Sequence, residues 1–350
     1  MQRLTLNTLD ALNHLDFDDV IDVRAPSEYD EDHIPGAVNL PVLDDDERAR
    51  VGTVYTRESR FLARRMGAAL IARNASRHLQ GYLADKPADY RPLVYCWRGG
   101  QRSAAFALIL GQIGWQVGIV AGGWRSYRRL VSRALYDDPF PAPLMVLDGN
   151  TGTAKTAILH AVARHGVQVI DLEGLARHRG SLFGLEPGAV QPSQKGFESA
   201  LAMAMTRLDP VRPVLVEAES NRIGALRLPP ALWHAMQRAP RLMIEAPLDA
   251  RARWLAQAYA DLTGDPARLH EPIAALAAFH SRERIAAWHA LADEGAFESL
   301  AAALMDHHYD PRYARARGRW GSDRLTTFET TTLDADARER LADAIAAHLG

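Results

Sequence analysis

Cys96 is the only cysteine in the chain, and it opens the run Cys96-Trp97-Arg98-Gly99-Gly100-Gln101-Arg102-Ser103. The residues before it, Pro92-Leu93-Val94-Tyr95, read as a short buried strand, and those after it, Ser103 to Leu110, as an apolar helix. A cysteine, five loop residues and an arginine between a strand and a helix make an anion cradle. Loop N–H groups and the helix N-terminus converge on one spot, and Arg102 is expected to add a fixed positive charge. Such a field favours thiolate over thiol and makes Cys96 a nucleophile. A lone cysteine can also be a small core residue, but glycines and arginines flank this one where a core needs apolar neighbours. With one sulfur there is no disulfide framework, no four-cysteine zinc site and no catalytic cycle through an intramolecular disulfide.

A second pattern follows the apolar strand Leu144-Met145-Val146-Leu147. It is Asp148-Gly149-Asn150-Thr151-Gly152-Thr153-Ala154-Lys155-Thr156, leading into helix-forming residues up to about Arg164. Strand, loop and helix in this order are the setting of a phosphate-binding loop. Its N–H groups would wrap phosphate or diphosphate, Lys155 would neutralise it, and Thr156 could reach a magnesium ion. Ala154 stands where a glycine is usual. If that position needs positive φ, alanine costs roughly 1 kcal/mol. No metal-ligand cluster and no base-recognition motif stand out, so the phosphate compound need not be a nucleotide. The strand Pro213–Glu217 ends in Glu217-Ala218-Glu219-Ser220, and acidic residues at such a strand end often lie near a metal or the attacking group. A solvated strand end is the plainer alternative.

The elements that must carry these loops set the architecture. Strands are predicted at Val20–Arg24, Leu93–Tyr95 and Gln116–Val120, with helices over about 59–80 and 103–111. Further strands follow at Gln168–Asp171, Pro213–Glu217, Arg241–Glu245 and Leu325–Glu329, and an amphipathic helix closes the chain at Asp334–Leu349. Strands alternating with helices imply parallel sheets covered on both faces, with ligands at the carboxyl ends of strands. A chain of 350 residues suggests two domains. Pro139, Pro141 and Pro143 read as a stiff connector. The expected division is α/β throughout: residues 1–133, a proline-rich linker 134–143, and a phosphate-loop domain 144–350.

Composition bounds the partners. The chain is 47% hydrophobic and 24% charged, with a formal net charge of −2. No stretch approaches the ~20 apolar residues of a membrane span. The start lacks a secretory signal pattern, so a cytoplasmic location without membrane contact is expected. Of 41 Lys and Arg residues, only Lys86, Lys155 and Lys195 are lysines. A lysine kept in so lysine-poor a chain points to chemistry at Lys155. Contacts to nucleic acid would have to be local. Arg125, Arg128, Arg129 and Arg133 fall at helical spacing, and Arg312, Arg315, Arg317 and Arg319 cluster beside Tyr309, Tyr313 and Trp320. Arginines can hold phosphates and an aromatic can stack a splayed base. Charge runs are as often solvated faces.

Asp22-Val23-Arg24, His33-Ile34-Pro35-Gly36-Ala37, the loop from Cys96 to Arg102 and Val120-Ala121-Gly122-Gly123-Trp124 together resemble a rhodanese domain. That resemblance implies sulfur or selenium transfer at Cys96. The loop has the length seen in rhodanese-fold phosphatases, which keeps a cysteine phosphatase open as an alternative. A small-molecule kinase with a regulatory rhodanese module, or a non-enzymatic tRNA-binding protein, would use only part of the pattern. The whole chain resembles the bacterial tRNA 2-selenouridine synthases. The marks are the two loops, His178-Arg179-Gly180-Ser181 with Phe183-Gly184, then Glu217, Glu219-Ser220, Arg222-Ile223-Gly224, and Tyr309-Asp310-Pro311 with Tyr313. The resemblance implies a transferase acting on the wobble 2-thiouridine in the anticodon region of tRNA. Geranyl diphosphate would alkylate its sulfur, and selenophosphate would then supply selenium at Cys96. It implies no tightly bound cofactor. His178, Arg179, Glu217, Glu219 and Arg222 are candidates for a second-domain site.

Overall fold

The structure, a computed structural model, describes residues 2–180, 190–263, 267–317 and 325–350. Two compact units emerge, one of Met1–Asp138 with Pro192–Arg207 and the other of Pro139–Gln191 with Leu208–Gly350.

The first unit is built on five parallel strands in the order β1-β5-β4-β2-β3. They are β1 (Gln2–Leu4), β2 (Asp19–Asp22), β3 (Val38–Asn39), β4 (Pro92–Tyr95) and β5 (Gly118–Val120). β4 is buried at all four positions, as a central parallel strand must be. The helices Arg60–Gln80 and Gln101–Gln112 supply Leu70, Ile71, Phe106 and Leu110 to a core with Ile21, Val94 and Ile119. Asp22 and Arg24 are structural here. The buried Arg24 guanidinium donates to the Asp22 carboxylate at 2.6–3.0 Å and to the Asp32 carbonyl at 2.6 Å, beside the rings of Tyr95 and Trp124.

The second unit repeats the layering with the order β12-β11-β6-β8-β7, again parallel throughout. Its strands are β6 (Leu144–Gly149), β7 (Gln168–Ile170), β8 (Val214–Glu217), β11 (Arg241–Glu245) and β12 (Leu325–Glu329); β9 (Arg222–Ile223) and β10 (Leu226–Arg227) form a separate hairpin. β6 lies at the centre, flanked by β11 and β8, so the loop leaving its carboxyl end sits where the winding direction of the sheet changes. The closing helix Ala335–Leu349 packs Leu341 and Ile345 into the same core as Ile158 and Val162.

Three features depart from the expected organisation. The helix Gln194–Met205 belongs to the first unit although its sequence lies within 144–350. It buries Phe197 and Leu201, and its Glu198 pairs with Arg128 and accepts from the Tyr136 hydroxyl at 2.6 Å. The start of the expected linker is helical: residues 133–137 continue the helix Gly123–Ser132 as a wide turn that fully buries Leu135. Third, a helical insertion fills the chain between β11 and β12, with its own core of Leu262, Leu269, Ile273, Trp288, Leu300 and Leu304. Among the described residues, no helix is long and apolar enough to cross a membrane.

Candidate functional site

Cys96 leaves the end of β4 and is 3% exposed. The Gly100 N–H donates to its Sγ at 3.3 Å, and the Ser103 hydroxyl lies 3.2 Å from the same sulfur. The loop is shaped by a close backbone approach. A Cβ on Gly99, whose φ is +63°, would stand 2.5 Å from the Val120 carbonyl oxygen. A Cβ on Gly123, at φ +59°, would overlap the Cys96 carbonyl. Only glycine tolerates both conditions. The closeness lets the Trp124 N–H reach the Cys96 carbonyl at 2.9 Å and the Arg125 N–H reach that of Trp97 at 3.1 Å. Trp97 stacks on Trp124 with ring centroids 4.6 Å apart. Arg98 and Gln101 are exposed.

Arg102, expected to supply a fixed positive charge, is held by an acidic partner. Its guanidinium donates to the Glu28 carboxylate at 2.7 Å, and Arg48 reaches the same carboxylate at 3.0 Å. Burial alone would raise the Glu28 carboxyl, but the bond and charge of Arg102, with Arg48, hold it below its ordinary value. Arg102 is thus half of an ion pair, and the groups that meet the sulfur directly are a main-chain N–H and a hydroxyl. Glu28 lies 74 residues before Arg102, with no local spacing to announce the pair.

The phosphate loop leaves the end of β6. Gly152 has φ +82°, and a Cβ there would stand 2.9 Å from the Arg251 carbonyl. Ala154 lies in the left-handed region at φ +59°, ψ +29°. Thr153 is buried and closes the turn by donating from its hydroxyl to the Asn150 carbonyl at 2.8 Å. Lys155 opens the following helix, donates to the Gly149 carbonyl at 3.1 Å and lies over the Tyr313 ring. Burial would lower the Lys155 ammonium, but the negative field of Tyr313, Glu173, Glu219 and Asp148 outweighs it and raises the group. Arg251, absent from the expected site, braces the loop. It donates to the Thr151 carbonyl at 3.1 Å and grips Asp310 with two bonds of 3.0 and 2.8 Å.

Three carboxyls stand by this loop. The Thr156 hydroxyl lies 2.7 Å from Glu217 and 3.0 Å from Glu173. Glu217 is fully buried, and one of its oxygens has no hydrogen-bond partner among the described residues. Burial, with the Glu173 charge beside it, raises Glu217 strongly and pushes Glu219 up to about 8. Among the described residues no group of three or more His, Cys, Asp or Glu side chains is arranged to hold a metal ion by itself. Arg179 lines the cleft over the loop with its guanidinium 4.8 Å from the Tyr259 ring centroid. His178 is buried, accepts from the Gly180 N–H at 3.1 Å, and is lowered by that burial. Arg222 is exposed on the β9–β10 hairpin and does not line the cleft.

The arginine clusters divide. Arg125, Arg129 and Arg133 are exposed, and Arg133 pairs with Asp138. Arg128 turns inward to Glu198 and to the Lys195 carbonyl, so it is no surface cation. Arg312 and Arg315 are exposed, with Arg312 over the Phe279 ring. Tyr313, on the same helix, lines the phosphate-loop cleft. Ser181, Phe183, Gly184, the Arg317 side chain, Arg319 and Trp320 lie outside the described residues.

Two outcomes follow. Left-handed strain at Ala154, about 1–2 kcal/mol, exceeds the about 0.8 kcal/mol for the one methyl removed. Ala154→Gly should therefore stabilise the protein by up to about 1 kcal/mol in denaturant melts; net destabilisation contradicts the left-handed geometry. Glu219 is raised from 4.5 to about 8, so its contribution to stability is whole below 4.5 and is lost as pH rises through about 8. Glu219→Gln should match the wild-type melting temperature at pH 5 and exceed it at pH 8.5. An equal difference at both pH values contradicts the raised carboxyl.

Comparison with known proteins places both loops in a family. The family model described as the tRNA 2-selenouridine synthase AAA domain matches residues 142–284, and the rhodanese-like domain model matches residues 7–130. The tRNA 2-selenouridine synthase of Chromohalobacter salexigens is 33% identical over 320 residues, covering 84% of this chain and 86% of that protein. That of Nitrosomonas europaea is 34% identical over 264 residues, 74% of this chain and 68% of that protein. A solved rhodanese-related protein from Thermoplasma volcanium covers 37% of this chain and 92% of its own, at 20% identity and a TM-score of 0.24. With identity of this order across most of its length and a matching domain in each half, the chain belongs to the tRNA 2-selenouridine synthases.

Proposed function

We propose that this protein converts the wobble 2-thiouridine of tRNA to 2-selenouridine through an S-geranyl intermediate. In the first step the 2-thio sulfur attacks C1 of geranyl diphosphate, the C1–O bond breaks, and diphosphate leaves. In the second, the selenium of selenophosphate attacks C2 of the base, the C2–S bond breaks and geranylthiol leaves, and water then cleaves the P–Se bond to give 2-selenouridine and phosphate.

The observation that carries the reading is the presence, in one chain of this family, of two different anion loops. The Lys155 loop suits a leaving group that gains charge as it departs, because a cation and aimed N–H groups favour the transition state over the bound diphosphate. The Cys96 loop suits a smaller tetrahedral anion whose soft atom meets a sulfur. Its N–H groups would take the phosphoryl oxygens of selenophosphate and bring its selenium to Cys96. Thr156, Glu173 and Glu217 offer only oxygen donors, as magnesium prefers, and the unpartnered Glu217 oxygen fits such a use. The ion would be held by one or two of these groups together with the diphosphate and would offset the charge of carboxyls that burial keeps raised. Exposed Arg125, Arg129, Arg312 and Arg315 are available to tRNA phosphates.

The test is nucleoside mass analysis after incubating the full-length protein with thiolated tRNA. Geranyl diphosphate alone should yield S-geranyl-2-thiouridine. Addition of selenophosphate should convert that to 2-selenouridine, and selenophosphate without geranyl diphosphate should leave thiouridine. Selenouridine formed without geranyl diphosphate, or no product in any arm, contradicts the two-step reading.

A further inference from the structure

The cleft over the phosphate loop does not end on polar groups. Thr151, Leu255, Tyr259 and Tyr309 line that cleft and also a second cavity, so the two adjoin. Beyond those four, the second cavity is walled by hydrocarbon, including Ala256, Leu262, Leu269, Phe297 and Leu300. Among the described residues no charged side chain lines it. Every described wall residue outside the loop comes from the helical insertion between β11 and β12, and Leu262, Leu269 and Leu300 are at most 5% exposed. The junction is held in place, because Arg251 ties the Thr151 carbonyl to Asp310, the neighbour of Tyr309.

A nucleotide would leave this space unused, since a base and ribose bring polar edges that an apolar wall cannot satisfy. A ligand that fills both parts has a phosphorylated head and a hydrocarbon tail. We propose that the cavity receives the hydrocarbon chain of the prenyl diphosphate whose head lies on the phosphate loop, and that its walls select chain length. The proposal rests on the reading of that loop as a diphosphate site. Burying each further isoprene unit removes five carbons from water, so affinity should climb with chain length until the cavity is full and then stop.

Ala256 is half-buried on the helix Leu248–Ala258, where a larger apolar side chain keeps the helix and enters the cavity. The experiment measures equilibrium binding of inorganic, dimethylallyl, geranyl and farnesyl diphosphates to the full chain. Geranyl diphosphate should bind at least tenfold tighter than dimethylallyl or inorganic diphosphate. Ala256→Phe should abolish that advantage while leaving the dissociation constant for inorganic diphosphate within twofold. Ala256→Leu should give an intermediate loss, and thermal melts of both variants check that they fold. If inorganic diphosphate binds but chain length has no effect, or if Ala256→Phe weakens all four ligands equally, the proposal is overturned alone. If inorganic diphosphate fails to bind at all, the reading of the loop falls and the proposal with it.

Discussion

Both loops depend on one constraint. A main chain can hold an anion only if its N–H groups turn toward the same point, and that turn requires conformations or approaches that a side chain resists. In the first unit the requirement falls on Gly99 and Gly123, which let the Cys96 loop lie against the turn after β5. The Trp124 and Arg125 N–H groups then bond across the contact and fix the loop from below. In the second unit it falls on Gly152 and Ala154, with Arg251 bracing Thr151 from the insertion. Each loop follows the carboxyl end of a strand flanked by neighbours on both sides, which is why two parallel sheets suffice to place them.

Charge is arranged differently around the two. Near Cys96 the obvious cation, Arg102, shares the Glu28 carboxylate with Arg48, so the cluster keeps one net positive charge, while a main-chain N–H and a hydroxyl are the groups that meet the sulfur. Around Lys155 the balance tilts the other way. Burial first, and the neighbouring carboxylates second, raise Glu173, Glu217 and Glu219, although the Lys155 ammonium pulls Glu173 and Glu219 the other way. A site in that state favours cations with its anionic ligand.

Much of this was legible in the sequence because it is local. β4 and β6 are apolar runs that end in loops, and the order of strand, loop and helix follows from turn residues and helical spacing. The concern over Ala154 was also local, and the residue does sit at positive φ. What was not legible is set by distant pairing. Glu28 reaches Arg102, and Arg251 reaches Asp310, across separations with no periodic signal. The helix Gln194–Met205 is amphipathic wherever it packs, and nothing in its own residues says that it covers the first unit. The same holds for Arg128, whose inward turn depends on Glu198 of that helix. The insertion between β11 and β12 shows helical periodicity only in pieces, so the apolar cavity it encloses could not be seen from spacing.

The central claim is that the two loops perform separate steps, and reciprocal variants test it most directly. Lys155→Ala and Cys96→Ser would each be given thiolated tRNA and, separately, tRNA already carrying the S-geranyl group, with both co-substrates present. Nucleoside mass analysis should find that Lys155→Ala loses geranylation, by about a hundredfold in rate for one charge-assisted contact, yet still selenates the geranylated tRNA. Cys96→Ser should accumulate S-geranyl-2-thiouridine and form no selenouridine from either substrate. Equal loss of both steps in both folded variants would contradict the division and place all the chemistry in one composite site.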